Sequence, residues 1–409
     1  MDTSQTLLVF FGGLLPLAVV AFVLGRRKAL IADGQDRRLH SLPAQYGVYV
    51  ATWMALPALA IGFVAATADL FGLRVPAAPF VLAFALVAAA VGCALALRRV
   101  QPTLRARNAI EKFVYWTLFA ASLVSILTTL GIILSIVFEA LKFFQQVSVW
   151  DFVTGTQWSP VATFRPGQDS AASQFGSVPL FAGTFMITAI AMLVAIPTGL
   201  FAAIYMSEYA SHRVRTIAKP LLEILAGIPT VVYGFFAAIT ISPLVVEVAQ
   251  SVGLDASYTN ALAPGLVMGI MIIPFISSLS DDVINSIPNS LREGSYALGM
   301  TQSETIKKIV LPAAFPGIMA ASLLGISRAL GETMIVVMAA GLRPNLTWNP
   351  LEDMTTVTVR IVDALTGDQS FDSPETLAAF ALGLVLFVVT LVLNLVSIIV
   401  IRKFRQSYE

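Results

Sequence analysis

Nine stretches of this chain are apolar over roughly 20 residues or more, the length needed to cross a bilayer. They run over about 5–25, 46–73, 79–97, 113–138, 179–206, 221–249, 261–280, 313–341 and 376–401. Inside lipid no water reaches the backbone, so its N–H and C=O groups must pair with one another, and a helix does this within a single segment. The expected fold is an all-α polytopic membrane protein with about nine transmembrane helices. Composition agrees, with 57% of residues hydrophobic and 12% charged, against about 25% charged in a soluble domain. The net charge of +1 names no partner, and no nucleic-acid partner is expected. The one cysteine, Cys93, can form no disulfide within the chain. The two histidines, His40 and His212, stand far apart, so no metal site is expected.

Charge placement orients the chain. Arg26, Arg27 and Lys28 follow the first apolar stretch, whereas a signal peptide carries its positive charges ahead of it. The first stretch therefore reads as a retained helix. With the N-terminus outside, alternation puts most of the 25 lysines and arginines into inside loops, as the positive-inside rule requires. This N-out, C-in arrangement places residues 289–312 in the cytoplasm. Two modules follow: 1–107, a three-helix membrane extension ending in a basic linker, and 108–409, a six-helix unit. Two outer loops, 139–178 and 342–375, carry Trp150, Trp158, Pro160, Pro166, Trp348 and Pro350. Such residues serve either as interface anchors or as a docking surface for an external partner. No tandem repeat or low-complexity stretch is present.

Residues 289–312 read NSLREGSYALGMTQSETIKKIVLP. Ser290 with Glu293, and Thr301 with Glu304, have the spacing of two capping boxes. Gly299 falls where the first short helix should stop, and Pro312 where the second should close. Leu291, Tyr296, Leu298, Met300, Ile306 and Ile309 make the pair more apolar than a solvated loop needs. Two short helices held at the membrane surface, and docking into another protein, are expected.

Two constellations interrupt the apolar stretches. Arg328 and Glu332 lie in GISRALGETMIV, and an arginine at mid-membrane costs about 2.5–3.5 kcal/mol on the insertion scale. Spaced i,i+4, the two should share a helix face. The pair then serves either as a substrate-path charge set, with Arg328 offering donors to an oxyanion, or as a structural pair fixing helix packing. Gly227, Pro229 and Gly234 break LAGIPTVVYG, which reads as a broken helix lining a cavity or as a plain kink. No Gly-x-x-x-x-Gly-Lys-Ser/Thr phosphate loop, His-Glu-x-x-His or Gly-x-Ser-x-Gly occurs, so the chain is not expected to be an enzyme.

The spacing of Glu293, Gly299, Ile309, Leu311 and Pro312 resembles the EAA loop of ABC-importer permeases, with Gly294 and Ser295 where that pattern has alanines. Gly183-Thr184, AAIYMSEYA, LAGIPTVVYG and SRALGETM narrow the resemblance to phosphate-specific permeases of the PstC type, from about residue 110 to the C-terminus. The residues before it resemble an N-terminal extension of longer members. The resemblance implies a type I importer permease fold in a bacterial inner membrane, paired with a second permease of the PstA type. It implies two PstB-type ATPases below, a periplasmic PstS-type phosphate-binding protein above, and alternating access driven by ATP. ATP and magnesium would sit in the ATPase, with no cofactor in this chain. The coupling loop would hold Glu293 to Pro312, and the essential membrane charges map to Arg328 and Glu332. Permeation of molybdate or sulfate, proton-coupled secondary transport through Glu332, and a signalling or scaffold role are the alternatives.

Overall fold

The computed structural model describes residues 3–33, 39–70, 78–159, 175–366 and 373–405. Pro160 and Pro166 lie outside the described residues. Helices account for most of it, and the one β-bridge among the described residues joins Trp158 to Phe175. Eight helices among the described residues are long and apolar enough to cross a membrane. The ninth expected stretch, 5–25, falls within α1, whose first side chains are not among those described.

The chain forms two compact units, residues 1–130 and 131–409, dividing within a single helix rather than in the basic linker. The first holds α1 (Thr3–Asp33), α2 (Pro43–Leu70), α3 (Ala78–Arg99) and the first part of α4 (Ala106–Phe144). Small residues let α1, α2 and α3 approach closely: a side chain at Gly25 would meet Val50, and one at Gly92 would meet the Trp53 carbonyl. The buried Tyr46 hydroxyl donates to the Leu104 carbonyl at 2.8 Å, fixing the basic linker to α2.

The second unit continues with α5 (Val149–Thr154), α6 (Val178–Ile204), α7 (His212–Ala226), α8 (Thr230–Phe236), α9 (Ser242–Ser251) and α10 (Leu262–Ser286). Then come α11 (Asn289–Ala297), α12 (Gln302–Thr305), α13 (Leu311–Leu330), α14 (Met334–Ala339), α15 (Val357–Thr366) and α16 (Pro374–Arg405). Its core is the α6–α10 pair. Gly265 and Gly269, one turn apart on α10, lie so close to α6 that a side chain would strike Ile190 and the Ala191 carbonyl. A second cluster, of Phe143, Phe152, Trp158 and Phe175, packs edge to face at one end of the unit.

Three π-helical turns lengthen the spans: Tyr205–Tyr209 extends the end of α6, Ala237–Ile241 joins α8 to α9, and Ile306–Val310 joins α12 to α13. Three expectations change here. The stretch at 221–249 is not one span: α7 is an amphipathic helix with no buried residue, and the span begins at Thr230. Pro312 closes nothing. It sits in the first turn of α13, just after the π turn, whose wider backbone relieves the clash with the preceding turn, so residues 302–330 run as one continuous helix that starts outside the bilayer. The stretch at 313–341 instead breaks at Gly331, between α13 and α14.

Candidate functional site

The loop between α10 and α13 is built as two short helices. α11 starts behind Pro288, not on a Ser290–Glu293 capping box: the proline presets the helix entry, and no side chain caps it. It ends in a Schellman turn, with Met300 N–H donating to the Ser295 carbonyl and Gly299 N–H to that of Tyr296. Gly299 takes φ +81°, which favours glycine. The Thr301–Glu304 capping box forms in full. Those hydrogen bonds from the Thr301 backbone and hydroxyl hold the Glu304 carboxyl below its ordinary value.

Ser295, where the resembling pattern has alanine, lies 2.7 Å from the Thr305 hydroxyl in a buried contact that ties the two short helices together. Arg292 then clamps the loop to the end of α6. It meets Glu208 at 2.9 Å, with the Glu208 side chain 7% exposed, and donates to the Ile284 and Ile287 carbonyls. Gln302 adds a hydrogen bond to the Glu208 carbonyl at 2.6 Å. The outer face is apolar and bare: Leu298 is 85% exposed, Tyr296 45% and Leu291 46%. Glu293 is exposed beside them, Ile309 and Leu311 are half-buried, and Ile306 packs inward.

Arg328 lies in the last turn of α13. Glu332 lies beyond that helix, so the two do not share a helix face, and no ion pair joins them among the described residues. Gly331 is the cause, ending the helix before the next turn can form. The Glu332 carboxylate accepts from Met334 N–H at 3.1 Å and so caps α14, and its carbonyl accepts from the Thr358 hydroxyl. Arg328 points its guanidinium over the Phe275 ring, 5.8 Å from the centroid. The C-terminal end of α13 supplies negative partial charge next to it.

Arg328 lines a cavity of about 270 Å³ together with Phe275, Lys219, Glu223 and Asp281. Asp281 is fully buried on α10 and takes Arg215 at 2.9 Å and Lys219 at 3.2 Å, both from α7. Burial pushes the Lys219 ammonium down, but its hydrogen bonds to Asp282 and Asp281 outweigh that and leave it above the ordinary lysine value. Sequence reasoning missed this clamp. Its only signal was a basic pair at i,i+4, Arg215 and Lys219, opposite two adjacent aspartates at the end of an apolar stretch.

The LAGIPTVVYG break is a true one. α7 ends at Gly227, Pro229 starts α8, and the Tyr233 hydroxyl donates to the Leu225 carbonyl across the gap at 2.8 Å. Gly234 seats α8 on α14, since a side chain there would meet the Met338 sulfur and the Met334 carbonyl at about 3 Å. The second halves of two interrupted segments thus pack together.

Residues 195–407 match the family described as a binding-protein-dependent transport system inner membrane component. Residues 12–78 match a family described as a phosphate ATP-binding cassette transporter. The probable ABC transporter permease protein YqgH of Bacillus subtilis is 34% identical over 285 residues, covering 69% of this chain and 87% of that protein. The phosphate transport system permease protein PstC 1 of Mycobacterium tuberculosis is 33% identical over 281 residues, covering 63% of this chain and 82% of that protein. A crystal structure of a bacterial ABC transporter involved in the import of the acidic polysaccharide alginate aligns at TM-score 0.50 and 18% identity, over 73% of this chain and 99% of that one, a likeness of fold. With half of its length inside that family model and PstC proteins among its relatives, this chain belongs to the binding-protein-dependent inner-membrane permeases of ABC transporters, in their PstC-type branch.

Proposed function

We propose that this chain is the permease subunit of an ATP-driven importer of inorganic phosphate in a bacterial inner membrane. The observation that carries this reading is the match along four-fifths of the length of PstC phosphate permeases. The chain passes the membrane several times and supplies no ATPase motif, so the ATP and magnesium site belongs to a PstB-type partner. A PstA-type permease completes the path, and a PstS-type binding protein delivers phosphate from outside. The N-terminus lies outside and residues 289–312 face the cytoplasm.

The geometry supports a coupling route. The bare face of Leu291, Tyr296 and Leu298 is the contact offered to the ATPase, with Glu293 at its side and the turn at Gly299 setting its shape. From Gln302 the helix continues without a stop, through Ile309, Leu311 and Pro312, to Leu330. At 1.5 Å per residue, Arg328 lies about 39 Å along it from Gln302. A push on the loop therefore reaches the cavity through one helical element, while the Arg292–Glu208 pair carries it to α6. In the cavity Arg328 offers a fork of donors, engaged in no ion pair among the described residues, to a tetrahedral oxyanion. Glu332 holds the start of α14, and so the wall against which α8 moves.

Labelled phosphate uptake by cells expressing this chain with its neighbouring subunits tests the proposal. The expected uptake requires the ATPase and is indifferent to excess sulfate or molybdate. Suppression by either competitor would move the substrate to another oxyanion. Uptake independent of the ATPase would overturn the ABC mechanism.

A further inference from the structure

The first unit carries a groove that the transport reading does not use. It has a volume of about 370 Å³ and is walled by Tyr49, Trp53 and Leu56 of α2 and by Ile110, Lys112 and Phe113 of α4. Its lining is mostly apolar: Lys112 brings its only charge, and the Thr52 hydroxyl, also in the wall, is spent on the Val48 carbonyl. Trp53 is 44% exposed in it and is also the platform for a second cation: the Arg99 guanidinium lies 5.7 Å from its ring centroid. One apolar slot thus has two cations at its rim, joined through a shared tryptophan.

Among the described residues, neither cation has a counter-ion. Among the described side chains of this unit there are eight lysines and arginines and one carboxylate, Glu111. Arg107 holds that carboxylate at 2.7 Å. Arg99 and Lys112 both lie exposed at the end of the helices where the basic residues gather. Tryptophan at that level marks the boundary between headgroups and hydrocarbon. A ligand that fits must place an apolar chain along Leu56 and Phe113 and a negative charge between Lys112 and Arg99. A membrane supplies one such molecule in abundance. We propose that this groove binds an anionic phospholipid, its phosphodiester between Arg99 and Lys112 and an acyl chain against Trp53, and that selective lipid contact is a role of the three-helix extension.

The test is quenching of Trp53 fluorescence in the intact complex, reconstituted with phosphatidylglycerol or phosphatidylcholine brominated on the acyl chain. The signal of the Trp53→Phe complex is subtracted to isolate this residue. Phosphatidylglycerol should quench at a severalfold lower mole fraction than phosphatidylcholine. Arg99→Gln with Lys112→Gln should weaken the phosphatidylglycerol effect by roughly thirtyfold, each basic residue near an anionic surface contributing about a factor of five. Arg26→Gln with Arg27→Gln, which removes two cations outside the groove, should leave it unchanged. Thr52→Phe, which fills the slot and spares both cations, should abolish it. Equal quenching by the two lipids, or equal loss in the Arg26/Arg27 variant, would reduce the site to general surface potential and overturn the proposal. A Trp53 closed to both lipids would show that protein covers the groove, and would overturn it too.

Discussion

Arg328 is held by an aromatic ring and a helix end rather than by a carboxylate. That arrangement decides what its loss should do. Removing one partner of a buried ion pair strands the other at a cost of about 3–5 kcal/mol, but no carboxylate is stranded here. Arg328→Gln should therefore leave the complex assembled and abolish phosphate uptake, as measured by co-purification and by labelled phosphate in the same preparation. A complex that falls apart would make Arg328 a packing residue. Gly234 is the opposite case, because its role is steric. A methyl group there would press on the Met334 carbonyl and the Met338 sulfur at about 3 Å. Gly234→Ala should cost about 1–3 kcal/mol through overpacking between α8 and α14, read as a lower thermal unfolding midpoint of the purified complex. Unchanged stability would mean that the contact yields freely.

At the scale of elements, the loop carrying α11 and α12 has a rigid back and a bare front. Leu298, 85% exposed, contributes nothing to the fold that water would miss. Leu298→Asp should leave insertion and thermal stability intact while removing the ATPase from the purified complex, and retained ATPase would refute the coupling face. The start of α12 has a pH dependence of definite sign. The Glu304 carboxyl lies below its ordinary value when folded, so its contribution is present above the unfolded carboxylate value and fades as pH falls through the folded one. Amide exchange over residues 301–306, corrected for the intrinsic rate, should rise as the medium is acidified below the ordinary carboxylate range, and Glu304→Gln should remove that rise. This capping box and the Gly299 stop were legible in the sequence because they are local: the partners lie within a few residues. What failed was local geometry overridden by a neighbour. Pro288 pre-empts Ser290 at the head of α11, a π turn absorbs Pro312, and Gly331 breaks the turn on which an i,i+4 pairing of Arg328 with Glu332 depends. The Arg215–Lys219–Asp281 clamp was illegible for another reason. Its partners are more than 60 residues apart, and no periodicity in either helix records the other.

For the whole molecule, the open question is what the first three helices do for transport. The family model that marks the permease begins at residue 195, and a separate one covers 12–78. The first unit has its own packed core of α1, α2 and α3, closed by glycines at their crossings and by the Tyr46 hydroxyl on the linker. None of its described residues lines the cavity of Arg328 or belongs to the 289–312 loop. A chain that keeps α4 whole but lacks residues 1–99 therefore retains every group assigned here to phosphate movement. It loses the buried environment of Ala106, the Tyr46 bond to the linker and the α2 contacts of Ala109, Ile110 and Phe113, a change confined to the first two turns of α4. Such a chain should assemble with its partners and take up phosphate at a rate within about twofold of the full chain, once uptake is normalised to assembled complex. Its α4 crosses the membrane alone, so correct insertion must be scored separately, by labelling an engineered cysteine in residues 289–312 from the cytoplasmic side. If insertion is correct and uptake still collapses, the extension belongs to the transport cycle itself. If uptake persists while Trp53-dependent lipid selectivity is gone with the deleted residues, the extension serves the surrounding membrane and the six-helix core alone moves phosphate.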